Sequence, residues 1–329
     1  MMKNKFKETG KAILYFFAAK IRFKFILFSV KGLFYLKPSS NITRLLINLF
    51  DPNSIRRKVR SKIKNTQVTL QTSEGARFNL ELNDHVDWVT FINNTFDNLY
   101  KNLLDYLISK SGKNWNFIDV GANFGSVAIP IAKTSSVIAF EPQLKLFNRL
   151  ITHAEINGCR SIKIENFALS SEKVVQNCGG MLTLYKPGGN SGATSFKSDW
   201  NPSLSAAEHL KVKVTTLDRY SQAFKHLSHA TLFLVKIDVE GGELDVIQGA
   251  TKFMAEYRPI IILEFRKDLL KEKSVELLNY LSKIPNYYIS EIIYQKCSKE
   301  IILKKFSQHF SSFELALIPK DKMLYFTSS

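Results

Sequence analysis

The stretch FIDVGANFGS, Phe117–Ser126, runs from apolar residues through Asp119 into two glycines four positions apart. No glycine occurs from Ala76 to Ser111, so the pair falls where the backbone is under a local demand. A glycine directly after a strand lets the chain turn sharply and lets a ligand approach without meeting a Cβ. Gly121 and Gly125 are therefore expected to present bare backbone to a bound cofactor. Glu141 lies twenty residues after Gly121, ends the next apolar run and is followed by Pro142. At that spacing a carboxylate reaches the two hydroxyls of a nucleoside ribose. A third charged group stands in VKIDVEGGE, where Lys236, Asp238, Glu240 and Glu243 crowd the end of an apolar run, and Glu264 closes the run after it. Buried charge is expensive unless it is paired or used. Lys236 and Asp238 share a face on a strand, so a structural ion pair is the alternative to a role in chemistry.

The glycine pattern separates cofactors. A dinucleotide site wants GxGxxG, whereas this chain carries GxxxG, and Asp119 would sit badly beside a pyrophosphate. A carboxylate at that point suits a cofactor with a positive centre and an amino-acid part, which S-adenosyl-L-methionine has. Its sulfonium already activates the methyl group. The protein must then set a hydroxyl oxygen in line behind that methyl and take a proton, using a carboxylate or a divalent cation. Asp238, Glu240 and Glu264 are the candidates for either task, Asp238 foremost. Glu243 opens a helix, where the dipole favours an acid without any functional reason.

The elements that must position these residues follow from periodicity. QVTLQT and RFNLEL, around SEGA, predict a hairpin over Gln67–Leu82. Leu99, Leu103, Leu104 and Leu107 predict a helix over Asn98–Ser109. Strands are then expected at Asn116–Val120, Val137–Glu141, Ile162–Asn166, Thr231–Asp238 and Ile260–Phe265. Helices are expected between them at Ser126–Lys133, Gln143–Asn157 and Glu243–Tyr257. Near-continuous apolar strands separated by helices imply a doubly wound, mostly parallel sheet covered on both faces. Residues 169–228 form an insertion holding strand-like MLTLY and KVKVTTL. The loop KPGGNSGATSFKSDWNP lies between these, and its Asn190, Ser191, Thr194 and Ser195 could bond a sugar-like substrate or belong to a plain flexible loop.

The 329 residues carry a net charge of +17, distributed unevenly. Residues 1–64 hold 16 Lys/Arg against 2 Asp/Glu, leaving the body nearly neutral. The hydrophobic share of 45% and charged share of 23% exclude a disordered chain. Ala12–Leu36 is aromatic-rich but interrupted by Lys20, Arg22, Lys24 and Lys31. Its longest uncharged run, Ala12–Ala19, is far short of the ~20 apolar residues of a spanning helix. Lys3–Lys11 before that run outlines a secretory signal, but IRFK follows at once without a clean cleavage site. Contact with an anionic membrane surface and a pair of packing helices with solvated charges both remain open. Cys159, Cys178 and Cys297 show no metal spacing and are expected as free thiols, which suits a cytoplasmic protein, with peripheral contact at the inner membrane face as an option.

With these residues in view, the sequence resembles the FkbM family of S-adenosylmethionine-dependent methyltransferases. The resemblance rests on FIDVGANFG, AFEP, ENFALS (Glu165–Ser170), TTLDRY (Thr215–Tyr220), VKIDVEGGE, QGA (Gln248–Ala250) and RPIIILEF (Arg258–Phe265), in family order over roughly residues 85–265. It implies a seven-stranded class I methyltransferase (Rossmann-like) α/β fold that methylates a hydroxyl oxygen of a saccharide, lipid-linked glycan or secondary metabolite. By the same resemblance Asp119, Gly121, Asn123 and Gly125 hold the methionine part of the cofactor and Glu141 its ribose, while Asn166 and Ala168 border the adenine. Asp97 is the nearest acid to a Glu that the family often carries before the core. The implied organisation is a basic, helical N-terminal extension (1–64), a hairpin lead-in (65–96) and the methyltransferase domain (97–329). Two other classes compete. A nucleic-acid methyltransferase could use the basic segment on phosphates, but sites that methylate the amino groups of bases typically carry Asn/Asp-Pro-Pro-aromatic where this chain has Asp-Val-Glu-Gly. A non-catalytic cofactor-binding module is the other, against which the intact glycine loop and both acids argue.

Overall fold

The computed structural model describes residues 67–94, 99–197, 208–224, 231–265, 271–295, 300–305 and 314–326. The basic segment 1–64, Asp97 and Cys297 lie outside them. The described chain divides into two compact units, one of residues 67–72 and 78–94 and one of 73–77 and 99–326.

In the first unit, strands β1 (Gln67–Gln71) and β2 (Arg77–Glu81) alternate buried and exposed residues as the hairpin pattern requires. Helix α1 (His85–Asn93) follows, capped by Asp84, whose carboxylate accepts from the Val86 N–H at 2.9 Å.

The second unit contains α2 (Leu99–Ser111), β3 (Trp115–Val120), α3 (Ala128–Ala132), β4 (Ser136–Phe140), α4 (Leu144–Ile156), β5 (Ile162–Glu165), β6 (Ala168–Leu169) and α5 (Glu172–Asn177). Then come β7 (Met181–Lys186), β8 (Glu208–Thr215), α6 (Leu217–Tyr220), β9 (Leu232–Ile237), α7 (Glu243–Gln248), α8 (Thr251–Tyr257) and β10 (Ile260–Glu264). Helix α9 (Lys271–Leu281) and strands β11 (Tyr287–Gln295), β12 (Glu300–Lys305) and β13 (Glu314–Pro319) complete it.

The central sheet has the order β12-β11-β13-β10-β9-β3-β4-β5. Its pairs from β10 to β5 are all parallel, and β13 runs antiparallel between β10 and β11. The doubly wound, mostly parallel sheet is thus present. It carries eight strands instead of the expected seven, because β12 extends the edge through antiparallel pairing with β11. After β5 the chain returns to the other side of β3, so the order reverses between β3 and β9. A crevice opens beyond the strand ends at such a point. Strands β6, β8 and β7 form a separate small sheet from the insertion.

Two helical predictions need correction. The stretch expected as one helix over Glu243–Tyr257 breaks into α7 and α8 at Gly249. A Cβ on Gly249 would lie 2.0 Å from the Ser170 carbonyl oxygen, so the chain there is shaped by a neighbouring backbone. Asp218, from TTLDRY, caps the second piece: its carboxylate accepts from the N–H groups of Lys252 (3.1 Å) and Phe253 (2.9 Å). The helix expected at Ser126–Lys133 shortens to five residues. Among the described residues no helix is long and apolar enough to cross a membrane.

Candidate active site

Asp119 and Lys236 are register partners on β3 and β9, beside the reversal point. Both are buried, and Lys236 Nζ lies 3.1 Å from Asp119 Oδ1. The same ammonium is 3.3 Å from Asp238 Oδ2 and 3.5 Å from the Gly121 carbonyl oxygen. The ion pair anticipated between Lys236 and Asp238 is therefore one arm of a three-residue arrangement that also ties the ends of two strands. Burial works to lower the Lys236 pKa, but Asp119 and then Asp238 hold it above the ordinary lysine value, so the amine stays charged. Burial pushes the Asp119 carboxyl up, and Lys236 opposes that shift. Asp119 Oδ2 is buried and has no hydrogen-bond partner among the described residues.

The glycines do their work inside the protein. Gly121 has φ +85°, and an added Cβ would lie 1.9 Å from the Asp238 carbonyl oxygen. Gly125 has φ +93°, and its Cβ would meet Leu150 Cδ1 at 2.3 Å and Ile129 Cγ1 at 2.9 Å. The atoms that exclude a side chain at these positions are thus the end of β9 and the core under α4. Packing within the protein is sufficient reason for both glycines, whatever a bound cofactor adds to it. Asn123, between them, adopts φ +53°, and its own Oδ1 accepts from the Phe124 N–H at 2.8 Å.

Glu141 is buried just past β4. Its Oε2 accepts from the Asn123 N–H at 2.9 Å and its Oε1 from the Gln143 N–H at 2.8 Å. Each oxygen keeps a second lone pair. Burial raises the carboxyl to about 7, against which the two backbone N–H groups act. Asn166, just past β5, donates its amide to the carbonyls of Glu141 (2.9 Å) and Pro142 (3.0 Å), which leaves its Oδ1 for other partners. Ala168 stands in β6, paired with Val214 of the small sheet.

The three candidate acids converge. Asp238 and Glu240 follow β9, Glu264 ends β10, and one carboxylate oxygen of each lies within 4.8 Å of the others. Glu240 sits at φ +50°, a left-handed conformation that costs an ordinary side chain about 1 kcal/mol. Glu243 fixes this turn: its buried Oε1 accepts from the N–H groups of Val239 (3.2 Å) and Gly241 (3.1 Å).

Burial lifts Glu243 to about 7 as well. A carboxyl whose folded pKa exceeds its unfolded value binds more protons when folded, so its contribution to stability falls as pH rises from about 4.5 through 7. Glu243→Gln keeps the acceptor oxygen and removes this titration. Relative to that variant, the wild type is expected to lose roughly 1–3 kcal/mol between about pH 5 and 8, read from urea unfolding at each pH. A difference that stays constant with pH would show that the group ionises freely.

Sequence reasoning missed the way the insertion loop seats itself. Gln143 Nε2 donates to the Ser191 carbonyl at 3.3 Å, and Asn123 Nδ2 reaches Ser191 Oγ at 3.5 Å. Thr194 donates to the Ser191 carbonyl, Ser195 Oγ accepts from the Lys197 N–H, and Ser191 and Ser195 are buried. These hydroxyls thus have partners in the loop and the glycine turn. Lys197 pairs with Asp245 of α7 at 3.0 Å.

Five parallel strands reversing order at β3/β9, a glycine turn after the first and an acid closing the second define the class I, Rossmann-like methyltransferase architecture. The methyltransferase FkbM domain matches residues 119–288, more than half of the chain, and the protein belongs to that family. Similar solved structures include methyltransferase FkbM from Methylobacillus flagellatus KT, with 16% identity and a TM-score of 0.37. That match covers 70% of this chain and 52% of the other, so this chain spans about half the length of that protein. Another is TYW2 of M. jannaschii in complex with AdoMet, with 11% identity, a TM-score of 0.35, and coverage of 77% of this chain and 85% of that one. Comparison with curated proteins finds no match.

Proposed function

We propose that this methyltransferase binds S-adenosylmethionine across the β3/β9 crevice and methylates a hydroxyl oxygen of a saccharide, lipid-linked glycan or secondary metabolite. The observation that carries this reading is the convergence of Asp238, Glu240 and Glu264 beside Asp119, at the end of the strand where the order reverses. Asp119 Oδ2, buried and without a partner among the described residues, fits the ammonium of the cofactor's amino-acid part. The free lone pairs of Glu141 fit two ribose hydroxyls. When bound, the cofactor supplies a methyl group on a sulfonium, which departs as a neutral thioether once the new C–O bond forms. The protein's task is to orient the acceptor hydroxyl and receive its proton. Asp238 would do both, a role supported by its partial exposure and its anchoring by Lys236. The three acids also make an all-oxygen donor set suited to a hard divalent cation, which would lower the hydroxyl's pKa.

Calorimetry of the full-length chain with S-adenosylmethionine is expected to give micromolar binding. Methyl transfer to a panel of glycans and hydroxylated small molecules, run with and without magnesium, then tests the acceptor class. Asp238→Asn is expected to retain cofactor affinity and to lower kcat about a hundredfold or more. A folded wild type that neither binds the cofactor nor is stabilised by it against heat would refute the reading.

A further inference from the structure

Strand β9 is otherwise leucine, phenylalanine, valine and isoleucine, with Lys236 almost fully buried among them. Methionine would fill such a position at lower electrostatic cost, since a buried ion pair seldom stabilises a fold more than apolar packing does. The lysine's contacts suggest what it does there. Its ammonium bonds Oδ1 of Asp119, near the end of β3, and the carbonyl of Gly121 in the turn that follows, and reaches Asp238 beyond β9. The Tyr100 ring, with its centroid 5.9 Å away, borders it as well. Of the two Asp119 oxygens, one is thus held by the lysine and the other has no protein partner among the described residues. A fully buried aspartate would take up a proton without a cation beside it, and a protonated carboxyl is a poor partner for an ammonium.

We infer that Lys236 is a positioning residue: by holding Oδ1 of Asp119 it fixes that carboxylate and leaves Oδ2 to receive the ammonium at the amino-acid end of the cofactor. The inference rests on the reading of the site as one for S-adenosylmethionine. It makes the lysine's effect specific to one end of the ligand. The nucleoside end lies with Glu141, whose carboxylate oxygens are held by Asn123 and Gln143 instead.

Two ligands separate the ends. S-adenosylhomocysteine carries the amino-acid part, and 5′-methylthioadenosine lacks it. Both are titrated by calorimetry into full-length wild type, Lys236→Met, Asp119→Asn and the double variant. Lys236→Met is expected to bind S-adenosylhomocysteine at least about tenfold more weakly and methylthioadenosine within about twofold of wild type. Asp119→Asn should show the same selective loss, and the double variant should be no weaker than Asp119→Asn alone. Should Lys236→Met fail to fold, the double variant, which removes both buried charges, gives the same comparison with Asp119→Asn. Equal losses for the two ligands would mark Lys236 as structural only, and an unchanged affinity for S-adenosylhomocysteine would also overturn the inference. A wild type that binds neither ligand overturns the cofactor reading itself, and the inference with it.

Discussion

A Gly121→Ala chain is expected to lose about 3 kcal/mol or more of folding stability, and its cofactor binding with it. Two costs add. The left-handed φ of +85° is open to glycine and costs alanine about 1 kcal/mol. The new methyl would also lie 1.9 Å from the Asp238 carbonyl oxygen, an atom that cannot swing aside as a side chain could. Asp238 is itself bonded to β3 through its N–H and the Val120 carbonyl, at 3.1 Å. Relief would require the ends of β3 and β9 to part, which would draw Lys236 away from Asp119. Gly112 supplies the internal control: its φ is +61°, but nothing lies within 4 Å of an added Cβ. Gly112→Ala should therefore cost only the conformational share, about 1 kcal/mol. Urea midpoints for the two variants, at an unchanged m-value, give the comparison. If both shift equally, the ends of β3 and β9 part at little cost and the close approach of Asp238 does not set the glycine requirement.

This glycine also shows where sequence reading stops. The position of Gly121 after a strand was legible, because strand periodicity and the DxGxNxG spacing are local. The reason for the glycine was not, because its neighbour lies 117 residues away on another strand. The same division runs through the rest of the molecule. The parallel strands could be read because each is a short apolar run between turn residues, and their carboxyl ends bring Asp119, Glu141, Asp238 and Glu264 to one rim. Glu240 joins Asp238 and Glu264 only through a left-handed turn fixed by Glu243. The break at Gly249 was missed because the apolar spacing of Glu243–Tyr257 continues across it, while its cause is the backbone at Ser170. The seat of Ser191 on Asn123 and Gln143 has no local signal at all, since a Gly/Ser/Asn-rich loop looks the same whether docked or free. Strands β11, β12 and β13 were not placed from the sequence, because they lie beyond the family motifs and their antiparallel pairing leaves only short apolar patterns.

Glu141 should give the largest effect on the cofactor itself. Replacing it with glutamine is expected to weaken S-adenosylmethionine binding about a hundredfold, the loss of two charge-assisted hydrogen bonds to ribose at roughly 1.5 kcal/mol each. Glutamine is not a silent replacement here. Glu141 accepts from the backbone N–H groups of both Asn123 and Gln143, one on each oxygen. A glutamine amide offers a single acceptor oxygen, so its NH2 must face one of those donors, and the turn carrying Asn123 shifts or loses a bond. The pH dependence separates the ribose contact from that structural cost. With the buried carboxyl at about 7, the fraction ionised in the free protein grows as pH rises from about 6 to 8. Only the ionised form keeps both oxygens as full acceptors, so wild-type affinity should rise severalfold over this range and level off above it. The glutamine variant cannot ionise, and its weaker affinity should show no such rise. Calorimetry of both chains across the interval, at fixed ionic strength, tests this directly. A parallel rise in the two chains would place the titrating group elsewhere. A level profile in the wild type, with the variant still a hundredfold weaker, would mean that Glu141 is already ionised at the lower pH and that its two backbone donors outweigh its burial.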